Sequence, residues 1–460
     1  MNRFVVPVVT LTAVAAAVAA SLTVWPVAQP PSEPAPPDTS RVSVLCPSFD
    51  SATASVRVAV ADTGEGVRTA PLSTPDQQDE PGQVAVLAGR SEPVLVSGQR
   101  SATFGATSVA RAESGPDRGL SAATCEGAVT QRWFAGVELG EDAQADLLLA
   151  NTDSTDASVD VTIYGPDGPI NSPGSRGVVV EAHSSRSVPL SVLATATGPV
   201  SLLVESSQGR TAATLRQRLW DGTEPRGSDW VPAAAAPATD LVIPGIAAGA
   251  GDRELVVTNP GERTAIVAVE VLGEAGRSAL AGVENLEVPA GATRGFDLGA
   301  GLAGQVAGLH LTSAQEVLAA VRQSSTTSAA GRDPAWAAAL DPVGPDGLWP
   351  VPASTSATSV LLLSNPGQQD VVATVTLGNQ LGGPGETSQE TVPAGSTLQV
   401  PIPKAEVAVV RVQAAAAVHG AIVVTGRLGQ VRGLAVLPLV AATSAATQVP
   451  PVRFDPHAGS

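Results

Sequence analysis

The sequence predicts an all-β chain, built as tandem immunoglobulin-like β-sandwich units behind an N-terminal transmembrane or signal-anchor helix. Three observations carry this. A strand-and-turn pattern returns with a period just over a hundred residues. The chain has 46 Gly and 38 Pro but only 3% aromatic residues, which suits thin cores of Val, Ala and Thr between frequent turns. No segment between 41 and 460 has the 3.6-residue apolar period of a long helix. A β-propeller-like arrangement is the alternative, although propeller blades repeat at a shorter period.

The N-terminus is read first as an address. Met1, Asn2 and Arg3 precede an uncharged, largely apolar run from Phe4 to Val24. As a helix that run spans about 31 Å, the thickness of a bilayer core. Arg3 puts the terminus on the cytoplasmic side, and Trp25 suits the far interface. Residues 1–28 are therefore a signal anchor, with the cytoplasmic membrane as partner through residues 4–24. The expected location is a single-pass cell-membrane protein with its bulk extracytoplasmic. Secretion after cleavage near Ala17–Ala20 is the alternative. Residues 29–40 are too proline-dense for helix or sheet and read as a stiff stalk.

The region 41–128 reads as a degenerate first unit, with strands at Val42–Leu45, Ser55–Val60, Val84–Leu87 and Val94–Val96. The polar stretch Gly64–Gly82 between them reads as an exposed loop. The two cysteines, Cys46 and Cys125, are expected to pair, because an extracytoplasmic compartment is oxidising. They lack the close spacing of a metal site.

Three repeats follow, at 129–225, 226–335 and 336–445, before a tail at 446–460. Asp146–Asn151 returns as Glu254–Asn259 and again as Val360–Asn365. Asn259, Pro260 and Gly261 form a turn, as do Asn365, Pro366 and Gly367, since Pro fixes φ and Gly accepts a positive one. The first copy has Asn151 without Pro-Gly, so its turn is expected to differ. Alternating strands come next, at Ser158–Tyr164, Ala265–Leu272 and Val371–Leu377. The copies end near Arg216, Arg322 and Arg427, each expected to pair with carboxylates or carbonyls.

These features resemble an actinobacterial family of exported, N-terminally membrane-anchored β-sandwich-repeat proteins of unknown function. The resemblance is carried by Val44-Leu45-Cys46-Pro47, Gly119–Cys125, Trp133-Phe134-Ala135-Gly136 and the Asn-Pro-Gly units. It implies a cell-envelope location and members encoded near envelope glycosyltransferases. It transfers no catalytic residue.

The net charge of −17 excludes a phosphate-tracking groove, so nucleic acid is not expected as a partner. The basic residues are nearly all Arg, with Lys404 the single lysine, which reflects coding bias. Of four histidines, His183 falls where the other repeats have Gly291 and Gly395, a turn position. His310, His419 and His457 read as solvated surface. No Gly-x-Ser-x-Gly elbow is present. Gly299–Gly304 matches G-x-G-x-x-G but lacks the following helix and reads as an inter-strand loop. Asn151–Asp156 reads as a polar turn, not a calcium loop. Trp133, Trp220, Trp230, Trp336 and Trp349 fall between the repeated strand patterns. They either pack domain junctions or present rings to sugars or a protein partner.

The expected function is non-enzymatic: an extracytoplasmic scaffold or accessory protein of envelope assembly, in contact with an envelope glycosyltransferase or wall polysaccharide. A glycan-binding module is the alternative, with an envelope glycan hydrolase third. No cofactor is expected.

Overall fold

Alternation decides the local structure. Along Ala157–Gly165 every second side chain is buried, so one face joins a core and the other meets less crowded surroundings. The same two-residue rhythm runs through Ala265–Gly273 and Val371–Asn379. The computed structural model describes residues 41–440 apart from 49–53, 61–65, 89–91, 100–101, 281, 303, 327–331, 345–346, 352–356, 380–384 and 404–406. The anchor at 1–28, the stalk at 29–40 and the tail at 446–460 lie outside the described residues. Among the described residues there are thirty-two strands, and no helix is long and apolar enough to cross a membrane.

The strands form four units, each with two sheets across a shared core. The second unit shows the plan. One sheet runs in the order Gly168–Ile170, Ala157–Gly165, Pro199–Gln208, Gln131–Glu138, and the other Ser185–Pro189, Ala143–Ala150, Ala212–Asp221, Glu224–Val231. Val159, Val161, Ile163 and Leu202 from the first sheet meet Leu147, Leu149 and Leu215 from the second. The fourth unit repeats this plan between Gly347 and Pro438. In the third, a single 18-residue strand, Ala307–Ser324, pairs with Ala265–Gly273 at one end and Arg253–Thr258 at the other, threading both sheets.

Two expected boundaries fall inside strands. Glu224–Val231 pairs with Ala212–Asp221 and belongs to the second unit, so that unit runs past 225. Pro334–Ala338 pairs with Ala307–Ser324 and carries the third unit past 335. In the first unit the expected loop at 64–82 contains a strand, Arg68–Pro71, paired with Val94–Gln99. Val67 and Leu72 flank it and are buried, which anchors a stretch whose charges had masked its apolar minority. Cys46 and Cys125 form a disulfide that ties this unit's first strand to the end of its last.

The repeated asparagines act alike. Asn259 donates from Nδ2 to the carbonyls of Arg263 and Val288 and accepts from the Gly261 amide. Asn365 does the same with Gln369, Val392 and Gly367. Asn151 makes the equivalent bonds to Thr155, Val180 and the Asp153 amide. The first turn therefore keeps the geometry without Pro-Gly, because the side chain rather than the dipeptide holds it. His183 has φ 50°, matching Gly291 at 69° and Gly395 at 63°, as the repeat alignment predicts.

The four units close on themselves. Each contributes one axial strand: Gly119–Thr124, Glu224–Val231, Pro334–Ala338 and Val431–Pro438, each packed on the next in turn and the last on the first. Ser121 donates to the Ser228 carbonyl at 2.7 Å, Gly227 abuts Pro334, the Leu434 amide bonds Asp333, and Thr124 donates to the Pro438 carbonyl at 2.9 Å. The first strand of every unit docks on the sheet of the following one. Leu45 packs on Ala150 and Ala212, Trp133 and Ala135 on Leu318 and Ala320, Gly245 on Ala421 and Val436, and Leu348 on Ala59.

Candidate functional site

Two places on this ring combine chemistry with defined geometry. The first is the axis. Asp333 enters it at the start of the third axial strand. Its Oδ2 accepts from the Leu120 amide at 3.1 Å and the Leu434 amide at 2.8 Å. Its Oδ1 has no hydrogen-bond partner among the described residues and lies over Gly119 and Gly227. A Cβ at either glycine would stand within 3 Å of that oxygen, so only glycine admits the carboxyl. One side chain thus touches all four units. Burial is the main reason its pKa is pushed up to about 8, against the pull of Arg118 and two amides. Asp229 stands nearby, buried, accepting from the amides of Ala122 and Trp230 at 3.0 and 2.8 Å. Burial holds its pKa well above the ordinary range too.

The second place is a cleft of about 430 Å³ at the rim between the second and third units. Trp220, Glu138, Asp142, Asp221 and Arg226 come from the second unit and Arg332 from the third. Trp220 precedes the tight turn Asp221–Glu224. Its amide donates to the Asp142 carbonyl at 2.8 Å, and the Gly222 amide to Asp142 Oδ1 at 3.1 Å. Gln217 holds the backbone of Glu138 by bonds to both its amide and its carbonyl. Arg226 pairs with Asp221, Arg332 with Asp252 at 2.7 Å, and Glu138 with Arg322. Burial, with Arg332 close by, lowers the Arg322 pKa to about 10.

The five tryptophans separate cleanly. All five lie on strands, outside the repeated patterns as expected. Trp133, Trp230, Trp336 and Trp349 are buried, and only Trp220 is half-exposed. Trp336 belongs to the third unit but fills the core of the second, donating to the Gly136 carbonyl at 2.8 Å. Trp349 donates to the Val440 carbonyl, Trp133 stacks on Tyr164 at 5.8 Å, and Trp230 lies under Arg216. Of the two readings left open, junction packing describes four of the five, and Trp220 alone remains as a rim ring. Large apolar faces at seams between units are the cheapest way to exclude water there.

Arg216 and Arg322 are paired as expected, with Asp117 at 3.0 Å and Glu254 at 2.5 Å, whereas Arg427 is exposed. His310 and His419 are buried, not solvated. His310 sits between Asp240 at 3.1 Å and Glu270 at 3.3 Å. His419 Nδ1 lies 2.7 Å from the Leu340 carbonyl, and burial lowers its pKa. Gly299–Leu302 forms one helical turn. Among the described residues no group of His, Cys, Asp and Glu is placed to hold a metal ion.

The axial acids were missed by sequence reasoning. A signal was present: Ser-Asp-Trp-Val at 228–231 and Arg-Asp-Pro-Ala-Trp at 332–336 each set one acid beside an apolar strand. Residues 76–403 match the sequence pattern of a family of unknown function, DUF5719. A comparison with curated proteins finds no match.

Proposed function

We propose that this chain, which belongs to the DUF5719 family of unknown function, works as a non-enzymatic extracytoplasmic scaffold of the cell envelope. In this reading residues 4–24 anchor it once in the cytoplasmic membrane and the proline-rich stalk holds the folded part off the lipid. Each of the four units is an immunoglobulin-like sandwich. The ring they form presents fixed surfaces to an envelope glycosyltransferase or to wall polysaccharide. The observation that carries the reading is the interlocking of the units. Trp336 reaches from one unit into the core of another, and Asp333 is shared by all four. Such seams resist the hinge motions by which many enzymes close on substrate and favour a body that holds its shape.

The test uses the full chain in its own cells. Photo-crosslinking residues replace Val179, Ile266 or Val372, exposed apolar positions on the outer strands. The expected result is a defined adduct with one membrane-embedded envelope enzyme, recovered in the membrane fraction. Release of soluble fragments when purified full chain is incubated with isolated wall polysaccharide overturns the reading.

A further inference from the structure

We infer that the rim cleft beside Trp220 is a binding site for a neutral saccharide. The inference goes beyond the scaffold reading and stands without it.

Four facts support it. Trp220 is the one half-exposed indole among the five on described residues, and it lines a cleft of about 430 Å³. That volume lies within the ordinary range of small-ligand sites, about 300–1,000 Å³. An indole face is apolar and flat, the complement of the C–H face of a pyranose ring, and its N–H supplies a polar edge.

The polar groups around the ring are carboxylates and guanidinium groups: Glu138, Asp142, Asp221, Arg226 and Arg332. Both types are planar and offer two oxygens or two N–H groups side by side, which suits adjacent hydroxyls of a sugar. They are also held before any ligand arrives. Asp142 is fixed by the Gly222 amide, Arg226 by Asp221, Arg332 by Asp252 and Glu138 by Arg322. Preorganisation of this kind removes part of the ordering cost of binding.

Charge selects the ligand class. Three carboxylates face two guanidinium groups in the cleft, so the local balance is negative. A uronic acid or a phosphate would enter against it, whereas a neutral saccharide would not. The cleft also draws on two units, so a bound saccharide would span the seam between the second and third.

The test uses the full chain carrying 5-fluorotryptophan, observed by fluorine NMR. The probes are neutral gluco-, manno-, galacto- and arabino-oligosaccharides, with an oligogalacturonate and inorganic phosphate as anionic counterparts. The Trp220 resonance, assigned by its loss in Trp220→Phe, is expected to move with at least one neutral probe. The resonances of Trp133, Trp230, Trp336 and Trp349 stay in place. The oligogalacturonate and phosphate leave Trp220 unmoved. By calorimetry Trp220→Ala weakens the neutral probe at least tenfold, and Trp220→Phe, which keeps an aromatic face, weakens it by less. A Trp220 resonance that ignores every neutral probe overturns the inference, as does binding that survives Trp220→Ala. Preference for the anionic probes overturns the assigned class. None of these outcomes bears on the membrane adduct that tests the scaffold reading.

Discussion

Asn at position 333 should flatten the pH dependence of stability. In the folded protein the Asp333 carboxyl keeps its proton up to about pH 8, while an ordinary aspartate releases it near 3.8. Between those values the native state holds a proton that the unfolded chain has lost, so stability falls as pH rises through the window. The contribution is complete below about pH 4 and gone above about pH 8. The slope is about 1.4 kcal/mol per pH unit at most, so raising pH from 5 to 7.5 costs roughly 3 kcal/mol from this group alone. Asp229 faces the same axis and shifts in the same direction, so it adds to the slope; Arg118 beside Asp333 and Arg216 beside Asp229 favour ionisation, but by less than burial opposes it. Asp333→Asn keeps a carbonyl oxygen for the Leu120 and Leu434 amides but cannot ionise. The assay is urea unfolding of the full chain and the variant at half-unit steps from pH 5 to 8. The wild-type midpoint should fall with pH and the variant's should fall markedly less, the two curves diverging by roughly 3 kcal/mol. Parallel curves would mean that the carboxyl is ionised throughout, and the burial argument would be wrong.

Other consequences can be measured on the same protein. Breaking the Cys46–Cys125 bridge with Cys46→Ser and Cys125→Ser should cost roughly 2–5 kcal/mol, read as a lowered urea midpoint, because the bridge closes a loop of 79 residues. Trp336→Ala removes a fully buried ring at the second seam and should cost about 3–5 kcal/mol, whereas Trp220→Ala at the rim should shift the thermal midpoint little. His183→Gly should raise stability by about 0.5 kcal/mol, since relief of the left-handed conformation outweighs the added freedom of the unfolded chain; a loss there would refute the strain argument.

What the sequence revealed was local. The strands at Ala157–Gly165, Ala265–Gly273 and Val371–Asn379 announce themselves by alternation, which depends on residues two apart. The turn at His183 followed from its alignment with two glycines. Aspects set by distant partners were hidden. Arg68–Pro71 is a strand because Val94–Gln99 pairs with it, and no neighbour in the chain reports that. His310 is buried between Asp240 and Glu270, from two other strands. Asp333 looks like any loop aspartate until four units meet around it. The tryptophans left two readings open for a related reason: an indole gives no sign in sequence of which unit it will enter. The closure itself has no local signature, because it is made by the docking of whole sheets.

That closure has a consequence for self-association. Each unit docks its first strand on a receiving sheet of the next, an interaction between unlike surfaces that repeats in one direction. Arrangements of this kind either return to their origin or continue without end. Here the fourth unit meets the first, with Leu348 on Ala59 and Thr107 bonded to the Pro350 carbonyl, and both complementary surfaces are consumed within one chain. If that seam parts, each molecule displays one donor strand and one vacant acceptor, and these fit the neighbouring molecule as well as they fit each other. The same bonds that keep the protein a self-contained circle would then link copies head to tail into a fibre.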